Sequence, residues 1–174
     1  MSKTKSISIL RAPPQDGEDA SHSFAQLAST LITDNGISRV HIKTLTVASV
    51  EELVDTKDEE NFVIFIISCA ADGSVDRLVR KAIRKLKEPI KSNGKVDFAI
   101  ALLGHARCEN SAGQMSDTIF GTGRRFEKSL MTNNIFRTLS CVSRLETQVE
   151  LRSPDEEFDP WMKNIISWIL SQQS

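Results

Sequence analysis

The stretch that most limits what this chain can become is FVIFIIS at positions 62–68, an unbroken apolar run that meets its first polar residue at Ser68. An amphipathic helix must show a polar stripe every turn or so, and a strand with one wet face must alternate. A continuous run of β-branched and aromatic residues satisfies neither pattern. It fits a strand covered on both faces. VDFAIALLG at 96–104 repeats the motif. Two such strands imply a parallel sheet with helices on either side, since parallel neighbours need long crossover connections.

The rest of the chain supplies those connections. ISIL at 7–10 reads as a first strand, and Phe24, Leu27, Ala28, Leu31 and Ile32 then recur at helical spacing until DNG at 34–36 stops the helix. VHIKTLTV at 40–47 is a second strand, followed by a short acidic helix or turn around VEELVDTKDEE. A helix is predicted from about Asp76 to Ile90, with Leu78, Ala82 and Leu86 as its inward stripe and Val79, Ile83 and Ile90 widening it. Beyond the second buried strand come a polar loop and a helix with Phe120, Phe126 and Leu130. IFRTLSCV at 135–142 is read as the fifth strand. EEFDPWMKNIISWIL closes the chain as an amphipathic helix with Phe158, Trp161, Ile165 and Trp168 inward. The alternation predicts one α/β domain over residues 1–174, a parallel sheet with helices on both faces, and ligands at the carboxyl ends of the strands.

Charge narrows the function classes. The formal net charge is -1, so no overall field draws the protein to nucleic acid or to an anionic membrane, and neither is expected as a partner. The cysteines, Cys69, Cys108 and Cys141, are odd in number and lack Cys-x-x-Cys spacing, which argues against a disulfide framework or zinc ribbon and for a reducing compartment. MSKTKSISIL has too short an apolar run for a signal peptide and no stretch approaches a membrane span, so a cytoplasmic location is expected. Cys69, His105 and Cys108 fall in neighbouring predicted loops, but a fourth ligand is not apparent and no metal site is expected. His22 and His41 have no partner readable from sequence. No catalytic residue is singled out.

Two local patterns carry functional expectations. SILRAPPQDGEDAS, at 8–21, runs from strand end to helix start, where backbone N–H groups and the helix dipole collect an anion. Yet the loop carries Asp16, Glu18 and Asp19. The helix DRLVRKAIRKLKEPIK shows Arg77, Arg80, Lys81, Arg84, Lys85 and Lys87 against Asp76 and Glu88. This basic helix, Arg77 to Lys87, offers a face for an acidic partner, a redox partner or other protein, or for a nucleotide phosphate.

The order and spacing of the strand-end loops resemble flavodoxin, and more closely the FMN domain of diflavin reductases of the NADPH–cytochrome P450 reductase type. FVIFIISCAADGS resembles the family's strand ending in Ser-Thr-Tyr-Gly-Glu-Gly, and FAIALLGH its Tyr-Ala-Val-Phe-Gly-Leu-Gly-Asn. FGTGRRFEKSL resembles Phe-Asn-x-x-Gly-Lys-x-x-Asp-x-x-Leu, and DEEFDPW the family's closing acidic helix. The resemblance covers nearly the whole chain. It implies a flavodoxin-like three-layer sandwich with a five-stranded parallel sheet in order 2-1-3-4-5. It further implies FMN and electron transfer, with the cofactor across Gln15, Asp16, Gly17, Glu18 and Ser21 in the first loop, Ser68, Cys69, Ala70, Asp72 and Gly73 in the second, and Leu103, Gly104, His105 and Cys108 in the third.

The chain also departs from that pattern. Pro14 stands in place of a serine and has no N–H to donate, and Asp16 and Glu18 replace the family's threonines. Two unit charges at ~4 Å repel by roughly 4 kcal/mol at an intermediate dielectric. Ser21 and Ser23 could donate hydroxyls but are expected one turn into the helix. Ala70 and Cys108 stand roughly where the family stacks aromatics on the flavin, and the chain has no tyrosine. The expectation is a flavodoxin-like module with a weakened or lost FMN site, an electron-transfer domain if active. The alternative is a cofactor-free protein-interaction module on the same fold.

Overall fold

The computed structural model describes residues 6–15, 18–55, 61–69, 76–88, 95–104, 120–133, 135–149 and 152–172. In chain order its elements are β1 (Ile7–Ala12), α1 (Ser21–Asp34), β2 (Val40–Thr44), α2 (Val47–Asp55), β3 (Asn61–Cys69), α3 (Arg77–Leu86), β4 (Val96–Gly104), α4 (Gly121–Thr132), β5 (Phe136–Thr138), β6 (Leu145–Gln148) and α5 (Phe158–Gln172). The strands form one parallel sheet in the expected order β2-β1-β3-β4-β5, with β6 also paired to β4.

Strand order dictates where the helices go. The step from β1 to β2 runs one way across the sheet, and the steps from β2 to β3 and on to β4 and β5 run the other way. Right-handed crossovers therefore put α1 on one face and α2, α3 and α4 on the opposite one. The core divides accordingly. Val63, Phe65 and Ile67 of β3 pack with Val50, Val79, Ala82, Leu86, Phe126 and Leu130, whereas Phe62, Ile64 and Ile66 pack with Phe24, Ala28, Ile32, Phe158 and Ile165. Both sets of β3 side chains are buried, as the unbroken apolar run requires. Each such side chain contributes roughly 1.5–3 kcal/mol. An edge-to-face pair between Phe65 of β3 and Phe126, with centroids 5.1 Å apart, keys α4 to one face, and another between Phe24 and Phe158, at 4.9 Å, ties α1 to α5 on the other.

The helix ends follow from local sequence. At α1's end Gly36 takes φ +85°, its N–H reaches the Thr33 carbonyl, and the Ile37 N–H reaches that of Ile32. Ile32 and Ile37 meet in the same cluster, which completes a Schellman motif. The stop read from DNG is this turn. Asp76 caps α3 by accepting from the Leu78 N–H at 2.8 Å, and Arg84 and Lys85 suit its carboxyl end. The acidic segment before β3 is a helix as far as Asp55.

Three expectations need correction. Leu78 is not part of α3's inward stripe: it is 48% exposed, and Val79, Ala82 and Leu86 line the buried face. Val79 and Leu86 lie two turns apart with Ala82 between them, and Leu78 is rotated about 100° off that line. The fifth strand is not continuous either. β5 pairs only with Val96–Phe98, and the chain then leaves the sheet and returns as β6 beside Ala101–Gly104. Two anchors hold the detour: the Trp161 indole donates to the Ser143 carbonyl at 2.9 Å, and Arg144 pairs with Glu127 of α4. Cys141 therefore sits exposed in a turn, not in a strand. Finally, VHIKTLTV gives a strand of only five residues, largely exposed at the sheet edge.

α4 approaches β4 closely at one point. A Cβ on Gly123 would lie 2.5 Å from Leu102 Cδ2, and Leu102 is fully buried. Overpacking costs about 1–3 kcal/mol, which outweighs the gain of about 1 kcal/mol that alanine brings to a helix. Gly123→Ala should lower the melting temperature by a few degrees. Gly121→Ala, whose Cβ meets nothing nearer than the Arg125 guanidinium at 4.0 Å, should leave it unchanged or raise it. Equal shifts for the two variants in thermal unfolding would contradict this packing account.

Candidate functional site

The reversal of connection direction falls between β1 and β3, so helices leave their carboxyl ends on opposite sides, which is where open α/β sheets have their ligand crevice. Register aligns Ala12 with Ile67, Ser68 with Leu103, and Cys69 with Gly104. The structure thus brings together Ser68, Cys69, Leu103 and Gly104, all buried, at the ends of the two central strands. Gln15 and Glu18 are exposed in the first loop. Asp16, Gly17, Ala70, Asp72, Gly73, His105 and Cys108 lie outside the described residues.

Ser21 departs from expectation. It is the first residue of α1, fully buried, and its hydroxyl already has an acceptor. Asp19 Oδ1 accepts from both the Ser21 N–H, at 2.9 Å, and the Ser21 hydroxyl. The other carboxylate oxygen, Oδ2, takes a hydrogen bond from Arg11 Nη1 at 3.0 Å. Ala20, the residue at the cap position, makes no side-chain capping bond, so Asp19 does this work from one residue further out. A carboxylate thus sits at the positive end of α1 with its own arginine beside it.

The loop is tied to its surroundings. Arg11 lies on the α1 face of β1, in register with Ile66, and Pro14 is buried. The Pro13 carbonyl accepts from the Asp76 N–H at 3.4 Å, which links this loop to the cap of α3. Arg11 and Asp19 were not singled out together from sequence. The available signal was an arginine at the last residue but one of a strand, followed by an acid two residues before a helix-start serine.

Ser68 continues the even-numbered face of β3, the side of Ile66 and Leu103 that α1 covers. Its hydroxyl is fully buried and finds no hydrogen-bond partner among the described residues. Cys69 points to the opposite face, among Val79 and Leu102. Burial first, and the charge of Glu146 second, raise its pKa from an ordinary 9.0 to about 12. It is a core thiol, protonated at neutral pH and a poor nucleophile. No group of three or more potential metal ligands exists among the described residues.

An open cleft of about 300 Å³ lies elsewhere, where β5 and β6 part, lined by Phe98, Ile100, Glu127, Met131, Val142 and Arg144. It includes none of the strand-end residues at the switch point. No helix of the described residues is long and apolar enough to cross a membrane.

The chain matches no protein-family model and no curated protein in sequence. Solved structures are similar in fold. A cysteine-to-serine variant of flavodoxin from Pseudomonas aeruginosa superposes with a TM-score of 0.61 at 15% identity, covering 94% of this chain and 97% of that one. Oxidised Flavodoxin 2 from Bacillus cereus gives 0.55 at 13% identity over 96% and 97%. Oxidised Flavodoxin 1 from the same organism gives 0.52 at 9% over 98% and 99%. The architecture is flavodoxin-like over essentially the whole chain.

The buried thiol generates a pH prediction. The folded state keeps the Cys69 proton that the unfolded chain loses above about pH 9, so the unfolded state binds fewer protons there. Stability should fall as pH rises from 9.0 toward about 12, at up to ~1.4 kcal/mol per unit. Cys69→Ala should remove that part of the alkaline slope. Urea melts of both proteins at about pH 8 and about pH 10.5 test it, and identical slopes would contradict the assignment.

Proposed function

We propose that this chain is a flavodoxin-like module whose FMN site, of the kind implied by its resemblance to the FMN domains of diflavin reductases, is weakened at the phosphate end. One observation carries the reading: the helix N-terminus that would receive a phosphate already holds the Asp19 carboxylate, and Arg11 and Ser21 are committed to it. These residues do not fit a dianionic phosphate. Pro14, without an N–H, and the exposed Glu18 add to the mismatch. Purified protein should therefore carry no flavin absorbance, and FMN titrated into it should bind in the micromolar range or more weakly, ~-8 kcal/mol or less in magnitude. Nanomolar binding, followed by flavin fluorescence, would overturn the reading.

A second reading is favoured by α3, that of a protein-interaction module. Arg77, Arg80, Lys81, Arg84 and Lys87 are exposed and make no ion pair among the described residues, and Leu78 is exposed between them. Unpaired cations around an apolar side chain suit an acidic protein partner with an apolar anchor. With poly-glutamate as probe, binding should weaken as salt rises and drop about tenfold or more in Arg77→Glu/Lys81→Glu. Salt-independent binding, or binding unaffected by the double variant, would remove this reading.

A further inference from the structure

We infer that Asp19 is a built-in anion that occupies the phosphate position of the switch-point crevice, so that the crevice selects uncharged ring ligands over their phosphorylated forms. This rests on the proposed reading of the crevice as a weakened flavin site. The structure supplies each part of a phosphate receptor at that point, already in use. Arg11 reaches in from the end of β1 with only 23% of its side chain exposed, the Ser21 N–H and hydroxyl point out of the first turn of α1, and Asp19 takes hydrogen bonds from all three groups across its two oxygens.

A second observation is independent of the helix end. The Ser68 hydroxyl lies one residue past the Ala12–Ile67 pairing, on the face of the sheet that α1 covers, fully buried and without a partner among the described residues. A buried hydroxyl is normally hydrogen-bonded. One left unpaired at a strand end, on the sheet face that α1 covers, indicates a place made for a polar ligand group. Asp19 thus takes up the donors at the anionic end, while the Ser68 hydroxyl at the end of β3 remains an unused neutral donor or acceptor.

The arrangement is intramolecular, which makes it hard to displace. A carboxylate tethered two residues from the N–H it binds has a high effective concentration. An incoming phosphate would have to expel Asp19 and then share the loop with that same unpaired charge. Replacing Asp19 by asparagine removes the charge and keeps a side chain able to accept from Ser21. Replacing it by serine keeps a small capping group.

The test compares wild type, Asp19→Asn and Asp19→Ser by thermal unfolding in potassium phosphate against potassium chloride at matched ionic strength, and by titration with FMN and with riboflavin. Wild type should show no phosphate-specific rise in melting temperature. Both variants should show one, and Asp19→Asn with Arg11→Gln should lose it. Where flavin binds, wild type should hold riboflavin more tightly than FMN, and FMN should gain about tenfold in the variants while riboflavin stays unchanged. A phosphate response in wild type as large as in the variants, or none in either variant when circular dichroism shows both folded, would overturn the inference. Flavin binding by none of the proteins, with phosphate stabilising only the variants, would support the occupied seat and overturn the flavin reading.

Discussion

Everything in this molecule depends on keeping β3 dry on both sides. Its apolar run cannot face water on either surface, so helices must cover the sheet above and below, and the chain must reverse its direction of travel once to put them there. That single reversal creates the crevice between β1 and β3. The stability requirement of one strand and the location of the candidate site are therefore one consequence of the same residues.

At the crevice, local charge chemistry takes over from burial. A helix N-terminus carries a partial positive charge and unpaired N–H groups that something must satisfy. Here Asp19 does so, and Arg11 balances it. The carbonyl of Pro13, in the same loop, receives the N–H of Asp76, whose side chain caps α3. The anion-bearing loop and the basic helix consequently share a backbone contact, so the two surfaces on which the functional readings rest are neighbours.

The sequence made the layered architecture legible because burial writes itself as continuous or periodic apolar patterns. FVIFIIS, VDFAIALLG and the α1 stripe each correspond to the element expected. Where side chains were small in number or polar, the pattern was ambiguous. Leu78 looked like Leu86 until the helix phase was set by Val79, and the polar LETQ of β6 gave no strand signal, since it is held by pairing with β4 and by the Trp161 and Arg144 anchors. The site was legible in position but not in chemistry. Sequence placed acids in the loop and read them as repelling a phosphate. That one of them bonds Arg11 and Ser21 depends on side chains converging from a strand and a helix, which spacing alone does not report.

The broken edge beside β4 has a bearing on how the folded chain meets other copies of itself. β3 and β4 hold the segments most suited to cross-β stacking, apolar, uncharged and free of proline. Both lie inside the sheet. The two outer positions are taken by β2, short and bearing exposed His41 and Lys43, and by β5 and β6, three and four residues long and separated by the Leu139–Arg144 detour. Among the described residues an incoming strand meets a short edge with exposed charge at β2 and an interrupted one at β5 and β6. The interruption that hid β6 from the sequence pattern thus also denies that side of the sheet a template for growing sideways.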